Sequence, residues 1–197
     1  FGVPVCCEGG NLIDVLEKPE NPPSDFAVTG IYLYGPKVFF KAFDNIEKSS
    51  RGEYEISSIH SHFLKNNYKV GHKEITGWWK DTGLADDLLL ANKMLLERME
   101  GSEFPNHGSI YESADISGNV RIGIGSVIGK SVKITGPAII GENCVLENCE
   151  VGPFITIGSG TEVKDAKLRD NIILENCDIN CDIQITDSLI GRGVKIV

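Results

Sequence analysis

The chain has 197 residues, 41% of them hydrophobic and 24% charged, with a formal net charge of −9, a composition ordinary for one or two globular domains. An acidic balance without any run of Lys and Arg excludes the concentrated basic face that a nucleic-acid backbone requires, so no nucleic-acid partner is expected. No apolar run approaches the roughly 18 residues that span a bilayer, and the N-terminus lacks the charged and apolar regions of a signal peptide, so a cytoplasmic location without a membrane partner is expected.

Residues 2–7 and 12–17 read as short strands around the turn Glu8-Gly9-Gly10-Asn11, a hairpin signal. Residues 26–34 read as another strand. Gly35-Pro36 then opens a helix, with Pro in its first turn and Val38, Phe39, Ala42 and Phe43 on one side. Ser50-Arg51-Gly52-Glu53 fits a capping box, and Ile56, Ile59 and Phe63 mark one face of the helix it opens. On this reading Arg51 stands at a helix N-terminus, where free N–H groups and the positive end of the dipole favour a phosphate. The plainer alternative is a solvated Arg in a helix-opening loop. Residues 68–79 read as a further strand region.

After Asp81-Thr82-Gly83 comes the clearest helix, with Leu84, Leu88, Ala91, Leu95 and Met99 along one stripe and Asp86-Asp87 in its first turn. Two glycines and Pro105 mark residues 101–109 as a linker between a first domain over 1–100 and a second over 110–197. In the second the period changes to six. Ile110, Ile116, Ile122, Ile128, Ile134, Ile140 and Leu146 step evenly; after one-residue slips Val151, Ile157, Val163, Leu168, Leu174, Ile179, Ile185, Ile190 and Ile196 continue the ladder. An amphipathic helix needs apolar spacing near 3.6, so this is a hexapeptide repeat. Sixteen rungs at three per turn give roughly five coils. Glycines follow several rungs, at Gly123, Gly129, Gly141, Gly152, Gly158 and Gly191, as expected where a short strand turns a corner at positive φ.

None of the six cysteines forms a Cys-x-x-Cys pair. Cys6 and Cys7 are neighbours on opposite faces of a strand. Cys144, Cys149 and Cys177 lie two residues before a rung, an inward position for a small side chain, so buried free thiols are expected there rather than a metal site.

Val15-Leu16-Glu17-Lys18-Pro19, then Pro22-Pro23-Ser24-Asp25, Gly30-Ile31-Tyr32, Arg51-Gly52-Glu53-Tyr54-Glu55-Ile56 and Trp79-Lys80-Asp81-Thr82-Gly83 stand in the order and spacing found in the sugar-nucleotide pyrophosphorylases. The chain resembles that family over nearly its whole length, above all the long-form glucose-1-phosphate thymidylyltransferases. The resemblance implies an α/β, Rossmann-like nucleotidyltransferase domain, here its C-terminal part, followed by a left-handed parallel β-helix. It implies that the sugar-binding Glu falls on Glu17, that Lys18 and Arg51 hold the sugar phosphate and serve catalysis, and that Gly2 and a backbone group near Val28 line the pocket. Asp81 would bind Mg²⁺ together with a second Asp that this chain does not contain. The family's N-terminal Gly-x-Gly-Thr-Arg triphosphate loop is also missing, and Phe1-Gly2-Val3-Pro4-Val5 reads as mid-strand. The chain is therefore expected to be a piece of an enzyme, inactive alone and cut short or covered by a partner at Val197.

Transfer of a nucleotidyl group is mostly positioning and neutralisation of charge, which agrees with fixed cations and metal carboxylates. Taken singly, Glu17 is equally readable as a turn carboxylate, Lys18 as a solvated charge and Asp81 as a helix cap. Within the family, uridylyl, guanylyl or adenylyl transfer is the alternative to thymidylyl transfer from dTTP to glucose 1-phosphate. Acyl transfer on the β-helix is a further alternative, but such a site usually needs a His base and an extruded loop, and the ladder holds no histidine: His60, His62 and His72 are upstream and His107 is in the linker. The β-helix is expected to serve structure and assembly, with flat coil faces suited to a homo-oligomer.

Overall fold

In the computed structural model, which describes residues 1–99 and 106–197, strand β1 (Gly2–Cys6) runs antiparallel to β2 (Leu12–Glu17). The turn between them forms as its glycines direct. Cys7 N–H donates to the Asn11 carbonyl at 3.0 Å, Gly10 N–H donates to the Cys7 carbonyl at 2.8 Å, and Gly10 takes φ +77°. Helix α1 (Pro36–Phe43) starts at the Gly35-Pro36 step, proline supplying the first-turn φ. Helix α2 (Ile56–Lys65) packs against it through Ala42, Ile59 and Phe63, with Tyr34, Val38, Phe39, Ile56 and Val70 around them. These elements lie in the compact unit Phe1–Gly77.

Three local expectations fail here. Residues 26–34 and 68–79 do not pair as strands. Exposure alternates only over 31–34, with Leu33 99% and Ile31 78% exposed while Tyr34 packs inward, and the bond from Val28 N–H to the Gly2 carbonyl does not propagate into a ladder. The capping box is also absent. A turn closed by Gly52 N–H donating to the Ser49 carbonyl at 2.8 Å, with Gly52 at φ +79°, occupies that place. The helix waits until Ile56, with Glu55 at its N-cap, so Arg51 sits in the preceding turn rather than at a helix N-terminus.

The unit Trp78–Val197 is dominated by a parallel β-solenoid. Its strands form sheets of five, five and six. One sheet aligns Ile116, Ile134, Val151, Leu168 and Ile185; the next Ile122, Ile140, Ile157, Ile173 and Ile190; the third Ile110, Ile128, Leu146, Val163, Ile179 and Ile196. Each strand is too short to bury its apolar residue alone and does so only by stacking on the coils above and below. Of the rungs read from sequence only Leu174 is misplaced. The run Ile172-Ile173-Leu174 is apolar throughout, and it is Ile173, 1% exposed against 40% for Leu174, that pairs with Ile157 and Ile190.

The corners use two devices. Gly125, Asn143, Gly160, Asn176 and Gly193 form a column of left-handed residues with φ between +54° and +74°, and from Asn143 onward each donates its N–H to the preceding coil. Of the glycines that follow rungs, only Gly152 has positive φ. Gly129, Gly141 and Gly158 are required by close stacking instead, because a β-carbon would lie 2.8, 2.5 and 2.6 Å from backbone atoms of the next coil. Cys144, Cys149 and Cys177 belong to the core as free thiols, and burial pushes the Cys149 thiol up to about 12.

Helix α3 (Ala85–Glu97) lies on the sheet whose outward residues are Ile139, Thr156 and Ile172, where the other sheets present Lys133, Glu150 and Lys167 or Glu162, Asp178 and Lys195. Asn92 Oδ1 accepts the Thr156 hydroxyl at 2.7 Å, and Lys93 Nζ sits 4.5 Å from the centre of the Phe154 ring. This docking buries Ala91 and Leu96 and leaves Leu84, Leu88 and Leu95 of the expected stripe exposed. Of the linker expected over 101–109, residues 101–105 lie outside the described residues. Among the described residues no helix is long and apolar enough to cross a membrane.

The corrected rung has a measurable consequence. Ile173→Ala should lower the free energy of unfolding by about 2–5 kcal/mol, through lost burial and a cavity, whereas Leu174→Ala should cost less than about 1 kcal/mol. Urea denaturation of the two variants separates them.

Candidate active site

The end of β2 organises the first group of candidate residues. Register sets Gly2 opposite Glu17, and position 2 carries no side chain. A β-carbon there would lie 3.3 Å from Val15 Cγ1, 3.7 Å from Glu17 Oε2 and 3.7 Å from Val28 Cβ, so a larger residue would crowd Val15 and fill the small recess that these three border. Val28 is held in place by its N–H, which donates to the Gly2 carbonyl at 2.8 Å. Gly2, Glu17 and Val28 are thus brought together by one hairpin and one crossing segment.

Lys18 depends on a different feature. Successive residues of a strand point to opposite faces, so Glu17 and Lys18 are poorly placed to serve one recess while β2 continues. The strand ends at Glu17, and Lys18 takes φ +43°, with its N–H donating to the Phe1 carbonyl at 3.0 Å. A left-handed lysine costs roughly 1–2 kcal/mol, and strain of this kind concentrates at functional sites. Its side chain is exposed.

Arg51 is held electrostatically within its turn. Nη2 lies 3.1 Å from Glu53 Oε2 and Nη1 lies 3.4 Å from Glu55 Oε1. The Ser49 hydroxyl donates to the same Glu55 oxygen at 2.9 Å and accepts the Arg51 N–H at 3.3 Å. The Arg51 side chain remains 45% exposed, and its guanidinium is a planar donor set of the kind suited to bidentate binding of a carboxylate or phosphate.

Sequence reading missed Tyr32. Burial, and then the charge of Glu17, raise its phenol pKa. It stacks on Tyr34 at 5.9 Å between centroids and lies tilted at 5.1 Å from His60. The available signal was its place in Gly30-Ile31-Tyr32, in step of two with Val28.

Asp81 belongs to the unit Trp78–Val197 and is exposed in the segment that leads into α3. It is not the helix cap. Leu84 occupies that position, and its N–H donates to Asp87 Oδ2 at 3.3 Å. Asp87 also pairs with Lys80 Nζ at 2.6 Å, and the Lys80 hydrogen bond holds the Asp87 carboxyl below its ordinary range. Among the described residues no group of three His, Cys, Asp or Glu side chains is arranged to hold a metal. Mg²⁺, however, is commonly bound by one or two carboxylates together with waters and substrate phosphates, and the exposed Asp81 carboxylate is a donor of that kind.

The pair with Glu53 is solvent-exposed, and Glu55, 12% exposed, keeps the Ser49 hydroxyl as a donor when Arg51 is removed, so the loss should be nearly silent for folding. Arg51→Ala should change the unfolding free energy by less than about 1 kcal/mol. A thermal or urea melt of the variant tests this, and a small change separates any effect on binding from loss of structure.

The nucleotidyl transferase family model matches residues 1–98. A glucose-1-phosphate thymidylyltransferase from Streptomyces antibioticus is 34% identical over 196 residues, covering 100% of this chain and 54% of that protein. The low-salt glycan biosynthesis nucleotidyltransferase Agl11 of Haloferax volcanii is 30% identical over 197 residues, with coverage of 100% and 54%. The bifunctional protein GlmU of Methanocaldococcus jannaschii is 36% identical over 127 residues, covering 64% of this chain and 30% of that protein. The chain spans about half the length of the first two relatives.

Proposed function

The chain belongs to the sugar-nucleotide pyrophosphorylase family, and from that premise we propose that the whole protein is a glucose-1-phosphate thymidylyltransferase, converting glucose 1-phosphate and dTTP to dTDP-glucose and pyrophosphate. The observation that carries this reading is the recess at Gly2, where the Glu17 carboxylate and Val28 border a position without a side chain. A carboxylate accepts hydrogen bonds from hydroxyls on a sugar ring, and a bare α-carbon leaves the ring room.

In the proposed reaction an oxygen of the sugar phosphate attacks the α-phosphorus of dTTP. The new P–O bond forms as the bond to the bridging oxygen breaks, and pyrophosphate leaves with that electron pair. Glu17 orients the sugar. Lys18 and Arg51 hold its phosphate, discriminate it from a neutral sugar and offset the repulsion between two anionic reactants. For Arg51 this means exchanging Glu53 and Glu55 for the phosphate, which ties affinity to the presence of charge on the substrate. Asp81 would hold Mg²⁺, which supplies further charge neutralisation when bound. The relative from Streptomyces antibioticus favours thymidylyl over uridylyl transfer. The same reading makes the protein cytoplasmic and gives the solenoid the role of an assembly module in a homo-oligomer.

Pyrophosphate release by the whole protein with glucose 1-phosphate, dTTP and Mg²⁺ tests the proposal. Arg51→Ala should raise KM for glucose 1-phosphate about 10- to 150-fold, the equivalent of a charged hydrogen bond of about 1.5–3 kcal/mol. Asp81→Asn should chiefly lower kcat. Full activity in both variants would overturn the site assignment.

A further inference from the structure

Ile56, Ile59, His60 and Phe63 stand at helical spacing on the side of α2 that faces α1 and the 26–34 segment. A histidine in such a row brings polar nitrogens into an apolar layer. Its residue is 8% exposed. Nε2 lies 2.7 Å from the Tyr34 hydroxyl, while Nδ1 is buried without a hydrogen-bond partner. An orphaned buried nitrogen opposes folding, so its presence calls for a reason. The surroundings supply one. The imidazole lies 5.1 Å from Tyr32 and 5.8 Å from Tyr34, and Tyr34 in turn packs on Phe39 at 4.9 Å and Phe63 at 6.0 Å. Tyr32 reaches the electrostatic neighbourhood of Glu17.

We propose that neutral His60 is a positioning residue for the sugar side of the site, fixing Tyr34 and backing Tyr32 beside Glu17, so that protonation of His60 weakens sugar-phosphate binding. The inference rests on the function proposed above. Imidazolium has two N–H donors and no acceptor. Its Nδ1–H would have no partner, and its Nε2–H would force the Tyr34 hydroxyl to turn its own proton elsewhere. The neutral ring bears a single N–H and so incurs only one of these costs: with the proton on Nε2, Nδ1 stays a bare lone pair, and with it on Nδ1, Nε2 accepts the Tyr34 hydroxyl.

Burial lowers the His60 pKa from 6.5. The titratable groups around it are Tyr32 and Tyr34 on the 26–34 segment. On β2, Asp14 accepts the Ser61 hydroxyl and Glu17 acts on Tyr32; from α1 the nearest ring is the uncharged Phe39. A folded-state pKa below the unfolded value leaves the neutral arrangement fully favourable above about pH 6.5. Its contribution is lost progressively as pH falls below that value, because the unfolded or opened form takes up the proton more readily. The dependence therefore lies on the acid side.

The test measures KM and kcat for glucose 1-phosphate with the whole protein between pH 5.5 and 8.5. A phosphate monoester itself takes up a proton near pH about 6, so each variant is compared with the wild type at the same pH. His60→Gln retains polar atoms for Tyr34 but does not titrate. Its KM should match the wild type within about twofold at pH 8 and lack the additional acid-side rise. His60→Phe fills the space without a hydrogen bond, and its KM should be about three- to tenfold higher throughout, with a smaller change in kcat. Near-UV circular dichroism checks that both fold, and the Gln variant decides the question if the Phe variant does not. Wild-type KM and pH dependence in His60→Gln would overturn the role of His60 while leaving nucleotidyl transfer intact. Failure of the functional reading is distinct: no pyrophosphate release by the wild type at any pH, which would remove the basis for the His60 role as well.

Discussion

The pairing of β1 with β2 is the constraint on which the sugar side of the proposed site depends. One register, Gly2 opposite Glu17, determines that a carboxylate faces a residue without a side chain. Because side chains alternate along a strand, a slip of one residue would turn Glu17 to the other face and set Leu16 in its place. The bond from Val28 N–H to the Gly2 carbonyl then holds Val28 beside that position, and Tyr32 lies four residues further along the same segment. The two glycines of the turn and the left-handed Lys18 bound the hairpin at either end. Backbone geometry thus delivers the groups that the proposed chemistry uses.

Electrostatics adds selectivity to this frame. Arg51 is neither buried nor rigidly committed, and its partners Glu53 and Glu55 are carboxylates that a doubly charged phosphate can displace. The pair with Glu53 is exposed and weak because water screens it, whereas Glu55, 12% exposed, also accepts the Ser49 hydroxyl and so keeps a partner if Arg51 turns to a phosphate as proposed. The tyrosine–histidine layer behind Glu17 contributes in the opposite way, through burial. Tyr34 and His60 satisfy one another across an otherwise apolar contact, and burial, with Tyr32 nearby, pushes the Tyr34 phenol up to about 12. Both groups therefore stay neutral near pH 7.

The solenoid was legible in the sequence because each rung is specified within six residues and repeated along the chain. Of the rungs only Leu174 was misread, within a run whose three apolar residues leave the phase undetermined until Asn171 is seen to face inward, its side chain bonding the Ile185 carbonyl and the Ser188 N–H. The first unit was less legible, since its pattern depends on pairing between distant segments. Within 26–34 only the last four residues alternate as a strand does, and a strand also needs a ladder. Ser50 and Glu53 have capping-box spacing, yet Gly52 at positive φ turns the chain before a helix can start, and it is Ser49 that supplies the hydroxyl. Gly2, Glu17 and Lys18 entered the proposed site through their motifs. Tyr32 and His60 were not, although the row Ile56, Ile59, His60, Phe63 already placed a histidine on a buried helical face. Nothing in that periodicity names Tyr34 as its partner.

The central claim concerns where a sugar phosphate sits. A crystal structure of the whole protein soaked with glucose 1-phosphate tests it most directly. The account predicts ring hydroxyls on the Glu17 carboxylate, the sugar packed over Gly2 and Val28, and the phosphate between Lys18 and Arg51, with the Arg51 guanidinium withdrawn from Glu53 and Glu55. Sugar phosphate bound elsewhere, with the Gly2 recess empty and Arg51 still paired to both glutamates, would contradict it.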